Sequence, residues 1–254
     1  MTAINDPSDR PVMVVGASRG LGRGITTALA EAGARVIAVA RTNSALAELA
    51  ERAGVTGAVQ PEIADAADAT VAGALLDRYD PYAVILVAGA RPLMRPLQQQ
   101  TWETFSANWQ VDVRIAFHWV REALLRPLRP GGRVVVISSG AALQGSPLSG
   151  GYAGAKATQR FIAGYAQDEA NRAGLGITFT AVLPRITPLT DLGRPAVRAY
   201  AARNGQTEEE YLAPFGDPLT PQAAGAAVLE LLGADATALV PAYLLGGTGL
   251  RELP

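Results

Sequence analysis

The sequence has no cysteine and a single histidine. Without cysteine there is no disulfide framework, no thiol nucleophile and no thiolate metal ligand. His118 alone cannot supply a histidine metal cluster, and a Ser-His-Asp triad built on it is a poor expectation; no metal site is read from the chain. Charge of either sign is not in excess. With 22 basic and 23 acidic side chains the formal net charge is −1, so the basic footprint of a nucleic-acid-binding protein is missing. No apolar run is long enough for a bilayer span, and residues 1–11 are polar with no apolar leader. The expectation is a soluble, cytoplasmic chain without nucleic-acid or membrane partners.

What the chain does have is apolar material in alternation. Its 254 residues are 49% hydrophobic, enough for one large core, and a single domain over residues 1–254 is the expected organisation. About seven apolar, β-branched runs alternate with segments of helical periodicity. The pattern argues an α/β Rossmann-like doubly wound parallel sheet, with helices on both faces and ligands at the carboxyl ends of the strands. The last strand is read over residues 239–245. Residues 102–126 read as one long amphipathic helix carrying Trp102, Trp109 and Trp119, which are expected in the core or at an interface. His118, on the same helix, reads as structural. Residues 184–221 break the alternation with prolines, the Glu208-Glu209-Glu210 run and scattered aromatics, and read as an irregular lid over a site.

The first strand, Val12 to Val15, runs into Gly16-Ala17-Ser18-Arg19-Gly20-Leu21-Gly22, and a helical pattern follows. Gly16, Gly20 and Gly22 let the backbone approach a pyrophosphate, and the helix amino end is electropositive. Ser18, Arg19 and Leu21 belong to the same loop. The spacing differs from the common G-x-G-x-x-G fingerprint, and an ordinary strand-helix turn is the alternative. The second strand ends at Ala40-Arg41-Thr42, where dinucleotide folds place an acid for the adenosine ribose. A carboxylate there would repel a 2′-phosphate and a guanidinium would bind it. With Arg19 nearby, NADP(H) is the expected cofactor; the other reading is two surface arginines, with Thr42 or Asn43 capping the next helix.

A buried strand ends in Ser138-Ser139, and thirteen residues after Ser139 comes Tyr152, then Lys156. Residues at i and i+4 share a helix face. An ammonium beside a phenol favours the phenolate, which suits proton transfer, and Ser139 can hydrogen-bond the same substrate oxygen.

On these residues the chain resembles the short-chain dehydrogenase/reductase family over essentially its whole length. The glycine loop matches Gly16, Gly20 and Gly22. An acidic-aliphatic pair matches Glu62 and Ile63, the catalytic serine, tyrosine and lysine match Ser139, Tyr152 and Lys156, and a proline matches Pro184. The resemblance implies hydride exchange between a nicotinamide cofactor and a small-molecule carbonyl or alcohol. Tyr152 would be the acid/base, Ser139 would orient the carbonyl oxygen, and Lys156 would hold the nicotinamide ribose. Glu62 and Ile63 would meet the adenine, and Ala88, Gly89, Pro184 and Thr187 would lie along the cofactor. A homo-oligomer, dimer or tetramer, would form through the helices beginning near Trp102 and Tyr152.

Three departures stand out. The family's Asn-Asn-Ala-Gly is Leu86-Val87-Ala88-Gly89. Its catalytic asparagine falls on Asp112, expected within a water or two of Lys156 and expected to move alcohol oxidation to higher pH. The glycine after Pro184 is Arg185, for which an acidic substrate, a cofactor phosphate and solvent all stay open. These departures motivate a second reading, an NADP-binding sensor or scaffold with little turnover; a third reading is a different reaction on the same scaffold, epimerisation or dehydration.

Overall fold

The computed structural model describes residues 10–52 and 58–254; the first nine residues of the polar amino-terminal stretch lie outside them. In chain order come β1 (Val12–Val15), α1 (Gly20–Glu31), β2 (Val36–Ala40), α2 (Asn43–Arg52), β3 (Val59–Ile63), α3 (Val71–Tyr79) and β4 (Ala83–Leu86). Next are α4 (Trp102–Asn108), α5 (Arg114–Leu125), β5 (Arg133–Ile137), α6 (Ala141–Gln144), α7 (Gly150–Arg172) and β6 (Thr178–Pro184). The remainder is α8 (Gly193–Asn204), α9 (Glu208–Leu212), α10 (Pro221–Gly233), β7 (Ala242–Gly246) and β8 (Gly249–Leu253).

All the strands join one sheet in the order β3-β2-β1-β4-β5-β6-β7-β8. Every neighbouring pair is parallel except β7 and β8. The side-chain period of two divides β1 between two cores: Val12 and Val14 face one, Met13 and Val15 the other. α1 and α10 cover the first face through Ile25, Leu29, Ala224 and Val228. α3, α5 and α7 cover the second through Leu75, Trp119 and Ala163. Strand order reverses between β1 and β4, and the crossovers on either side leave a crevice there at the carboxyl ends.

Four expectations are corrected. The sheet has an eighth strand, because Gly246 and Gly249 close a two-residue hairpin that returns β8 antiparallel along β7. β7 begins at Ala242 and not at residue 239, just after Pro241, which has no N–H for the ladder. The helix expected over residues 102–126 is broken by a π turn at Trp109–Val113, a wide turn that recurs at functional sites. Here two tertiary bonds hold it: the Asp112 carboxylate accepts from Ala90 N and the Asp112 carbonyl accepts from Gln159 Nε2. Finally, residues 184–221 are not irregular, since they carry α8 and α9. Pro195 falls in the first turn of α8 and Pro221 at the first position of α10, where a missing N–H costs nothing. A Thr207–Glu210 capping box opens α9.

Of the tryptophans, Trp119 is core and donates Nε1–H to the Ala66 carbonyl, whereas Trp102 and Trp109 are 79% and 42% exposed. His118 sits edge-on to Phe117 and away from the crevice.

Candidate active site

The crevice deepens into a cleft of about 820 Å³ across the carboxyl ends of the strands. At its β1 end the glycine loop forms a cradle that side chains cannot occupy. Gly16 has φ +97, and a Cβ there would lie 2.5 Å from Ala88 N. A Cβ on Gly22 would lie 2.0 Å from the Gly16 carbonyl oxygen. The loop therefore offers bare backbone beneath the amino end of the twelve-residue α1. That donor set fits a dinucleotide pyrophosphate.

Gly16, Ser18, Arg19, Gly20, Leu21 and Gly22 all line this end, and Arg41 and Thr42 stand beside them after β2. Arg19 and Arg41 are exposed and, among the described residues, form no salt bridge. Ala88 and Gly89 line the cleft above β4, and Pro184 and Thr187 line it beyond β6. The Thr187 hydroxyl is committed to the chain, donating to Leu219 O at 2.7 Å and accepting from Leu189 N at 3.2 Å.

Glu62 and Ile63 are the expected site residues that the structure does not bring into the cleft. Both belong to β3 itself. The Glu62 carboxylate accepts from Arg78 at 3.2 Å and from the Tyr79 hydroxyl at 2.5 Å. Burial, and then the bond to Glu62, push the Tyr79 phenol above its ordinary value, so it remains a donor. Ile63 is exposed, and Ala64, Asp65 and Ala66 form the wall at this end instead.

The reactive cluster lies mid-cleft. Ser139 follows β5, and its Oγ accepts from Ala141 N at 3.2 Å. Tyr152 and Lys156 sit one turn apart on α7, with Lys156 Nζ 5.6 Å from the centre of the Tyr152 ring. Ser138, a residue the sequence reading passed over, donates Oγ–H to the Lys156 carbonyl at 2.7 Å and ties α7 to the end of β5.

Lys156 and Asp112 are 4% and 0% exposed. The water expected between them is not needed, because Asp112 Oδ2 is 3.5 Å from Lys156 Nζ. The ammonium also donates to Gln159 Oε1 at 2.9 Å and to Ile137 O at 3.4 Å. Three donors converge on the Asp112 carboxylate: Ala90 N at 2.7 Å, Asn108 Nδ2 at 3.4 Å and Lys156 Nζ. A carboxylate, which only accepts, suits that position better than an amide. Gln159 completes the ring by donating Nε2–H to the Asp112 carbonyl at 2.8 Å. Gln159 and Asn108 were not anticipated from sequence. The available signal was a lone polar side chain three residues after Lys156, on a face shared with Ala163 and Ala166.

At the β6–β8 end, α8, α9 and the turn after them arch over the cleft. Tyr200 and Tyr211 stack at 5.7 Å between centroids, and Tyr211 meets Phe215 at 5.5 Å. Burial, and then the neighbouring Tyr200, push the Tyr211 phenol above its ordinary value, so this aromatic stack carries no charge of its own. The Tyr200 hydroxyl bonds to Ser146, fastening the arch to the loop before Tyr152. Arg185 lines the same end.

Comparison with known proteins places this geometry in context. The family model described as short chain dehydrogenase matches residues 10–201. Versicolorin reductase 1 of Aspergillus parasiticus is 32% identical over 203 residues, covering 77% of this chain and 75% of that protein. An uncharacterized oxidoreductase of Mycobacterium tuberculosis is 34% identical over 138 residues, 52% of this chain and 50% of that one. The chain thus spans about half the length of the first curated relatives it matches. The crystal structure of sorbitol-6-phosphate 2-dehydrogenase from Erwinia amylovora superposes with a TM-score of 0.81 at 21% identity, over 93% of this chain and 98% of that one.

Proposed function

The chain belongs to the short-chain dehydrogenase family, and from that premise we propose that it is an oxidoreductase that exchanges hydride between NADP(H) and an alcohol/carbonyl pair. The observation that carries this reading is the meeting of Ser139, Tyr152 and Lys156 in one cleft with the bare glycine cradle. A nicotinamide dinucleotide held there supplies or accepts the hydride. The residues of this chain do the rest. Ser139 Oγ–H holds the substrate oxygen, and Tyr152 Oη gives that oxygen a proton in reduction and takes it back in oxidation. Lys156 keeps a positive charge beside the phenol, and the Asp112–Gln159–Ile137 cage fixes where that charge stands.

Preference for the phosphorylated cofactor is supported by Ala40, which leaves no carboxylate after β2, and by the cleft-facing Arg41, Thr42 and Arg19. A homo-oligomer is supported by large apolar side chains left exposed among the described residues: Trp102 at 79%, Phe117 at 51%, Phe161 at 57% and Tyr165 at 65% lie on α4, α5 and α7. Sedimentation at several concentrations tests it, and a monomer throughout would end that part of the proposal. The activity is tested by following NADPH consumption across ketones, aldehydes and quinones. Turnover of at least one, lost in Tyr152→Phe, is expected; NADPH binding with no turnover anywhere would favour the sensor or scaffold.

A further inference from the structure

The charges at the β6–β8 end of the cleft are unbalanced. The wall carries Arg185, Arg203 and Arg251, and among the described residues none of the three forms a salt bridge. The carboxylates of the wall are engaged or distant: Asp112 pairs with Lys156, Asp191 pairs with Arg91 at 3.7 Å, and Asp65 lies beyond β3 at the opposite end.

Arg185 and Arg251 share one face of the sheet. Pro184 is the register partner of Leu245, so Arg185 comes alongside Gly246. A Cβ on Gly246 would lie 3.6 Å from Arg185 Cδ, so the arginine stem passes over the face where Gly246 has no side chain. Leu244, two residues away, presents the same face, and its antiparallel partner is Arg251. Directly opposed residues point to the same side. The Arg185 guanidinium is steadied over the Phe215 ring at 5.9 Å, and Nη1 donates to Phe215 O at 3.4 Å. Among the described residues its other donors have no hydrogen-bond partner. This pair is also close to the chemistry: Gly140, next to Ser139, donates to the Pro184 carbonyl at 2.8 Å.

We propose that the carbonyl substrate carries an anionic group, carboxylate or phosphate, that Arg185 and Arg251 receive while its carbonyl lies at Ser139 and Tyr152. The inference rests on the oxidoreductase reading and names its substrate class. The glycine cradle and Arg41 stand at the β1–β2 end, across the sheet from this pair, so the two cationic ends serve different parts of the ternary complex.

The test compares para-carboxybenzaldehyde, its methyl ester and para-formylphenyl phosphate as substrates with NADPH. The wild type is expected to favour an anionic aldehyde over the ester by about tenfold in kcat/KM. Arg185→Gln and Arg251→Gln should each lower that ratio through the aldehyde KM, and the double variant should bring it near one. Whichever anionic probe shows the larger ratio identifies the group. A ratio near one in the wild type, or one that neither variant moves, overturns the proposal. So does an Arg185→Gln defect confined to the NADPH KM, which would assign the residue to the cofactor. If no aldehyde is turned over, the oxidoreductase reading is what fails. Calorimetric titration with terephthalate then decides the anion site by itself: binding lost in the double variant upholds it, and no binding to the wild type overturns it.

Discussion

Replacing Asp112 by asparagine removes one charge and almost no volume, and the structure sets what that costs. Three donors share the carboxylate, and an asparagine side chain offers one acceptor oxygen. If that oxygen keeps Ala90 N, the shortest of the three, its NH2 group is turned toward Asn108 and Lys156, donor against donor. Asn108 retains the Ala90 carbonyl at 3.0 Å, so its loss is small. Lys156 loses the one counter-charge that the described residues give it. Breaking a buried pair from one side costs about 3–5 kcal/mol, and the surviving bonds to Gln159 and Ile137 place this case near the lower figure. At about 2–4 °C per kcal/mol for a chain of this size, Asp112→Asn should lower Tm by about 6–12 °C. Thermal unfolding followed by circular dichroism at fixed protein concentration reads this. The control is the same substitution in Lys156→Met, where the carboxylate is itself the unpaired charge. There the cost should shrink by about 2 kcal/mol or change sign. Equal losses in both backgrounds would refute the ion pair and leave only the hydrogen bonds to Ala90 and Asn108.

The other predictions concern the cofactor end and the arch. Arg41→Ala should weaken NADPH binding by about tenfold or more, in line with one charge-assisted contact, and NADH binding much less; equal losses, or a wild type that prefers NADH, would remove the 2′-phosphate assignment. Gly22→Ala puts a methyl group against the Gly16 carbonyl, so either cofactor should bind at least about tenfold more weakly, by about 1.4 kcal/mol, with titration fluorimetry as the readout. In α9, bonds from Thr207 N–H and Oγ–H hold the Glu210 carboxyl below its ordinary value. The cap therefore contributes fully above the ordinary glutamate range and is lost as pH falls through the lowered value. The Thr207 amide resonance should titrate in that acidic window, and in Glu210→Gln it should not.

What could be read from the sequence was what lies within one element or one turn. β1 and β5 are buried throughout, so their apolar runs announce themselves. Tyr152 and Lys156 are one helical turn apart, and helix geometry alone puts them together. The glycine cradle was readable because a strand, bare backbone and a helix start follow one another directly. Asp112 was expected near Lys156 and lies there, yet its direct contact was not foreseen, because the π turn that carries it is held by Ala90 and Gln159 from elsewhere in the chain. Glu62 and Ile63 were sent to the adenine by resemblance; what sequence could not show is that Arg78 and Tyr79, on the following helix, engage the Glu62 carboxylate and that Ile63 is left exposed beside the wall of the cleft. Prolines misled at residues 184–221, since Pro195 and Pro221 open helices there. β8 is short, polar and follows a glycine-rich turn, so only its pairing with β7 reveals it.

The central claim is that Tyr152 exchanges a proton with the oxygen of a carbonyl whose carbon receives hydride from the bound cofactor. The direct measurement is single-turnover reduction of an accepted carbonyl by NADPH deuterated at the transferred position, with the product alcohol analysed by mass spectrometry. One deuterium per alcohol is expected at the former carbonyl carbon, and Tyr152→Phe should slow its appearance by at least about a hundredfold while still binding NADPH. An alcohol without deuterium, or a Tyr152→Phe variant that labels it at the wild-type rate, would contradict the account.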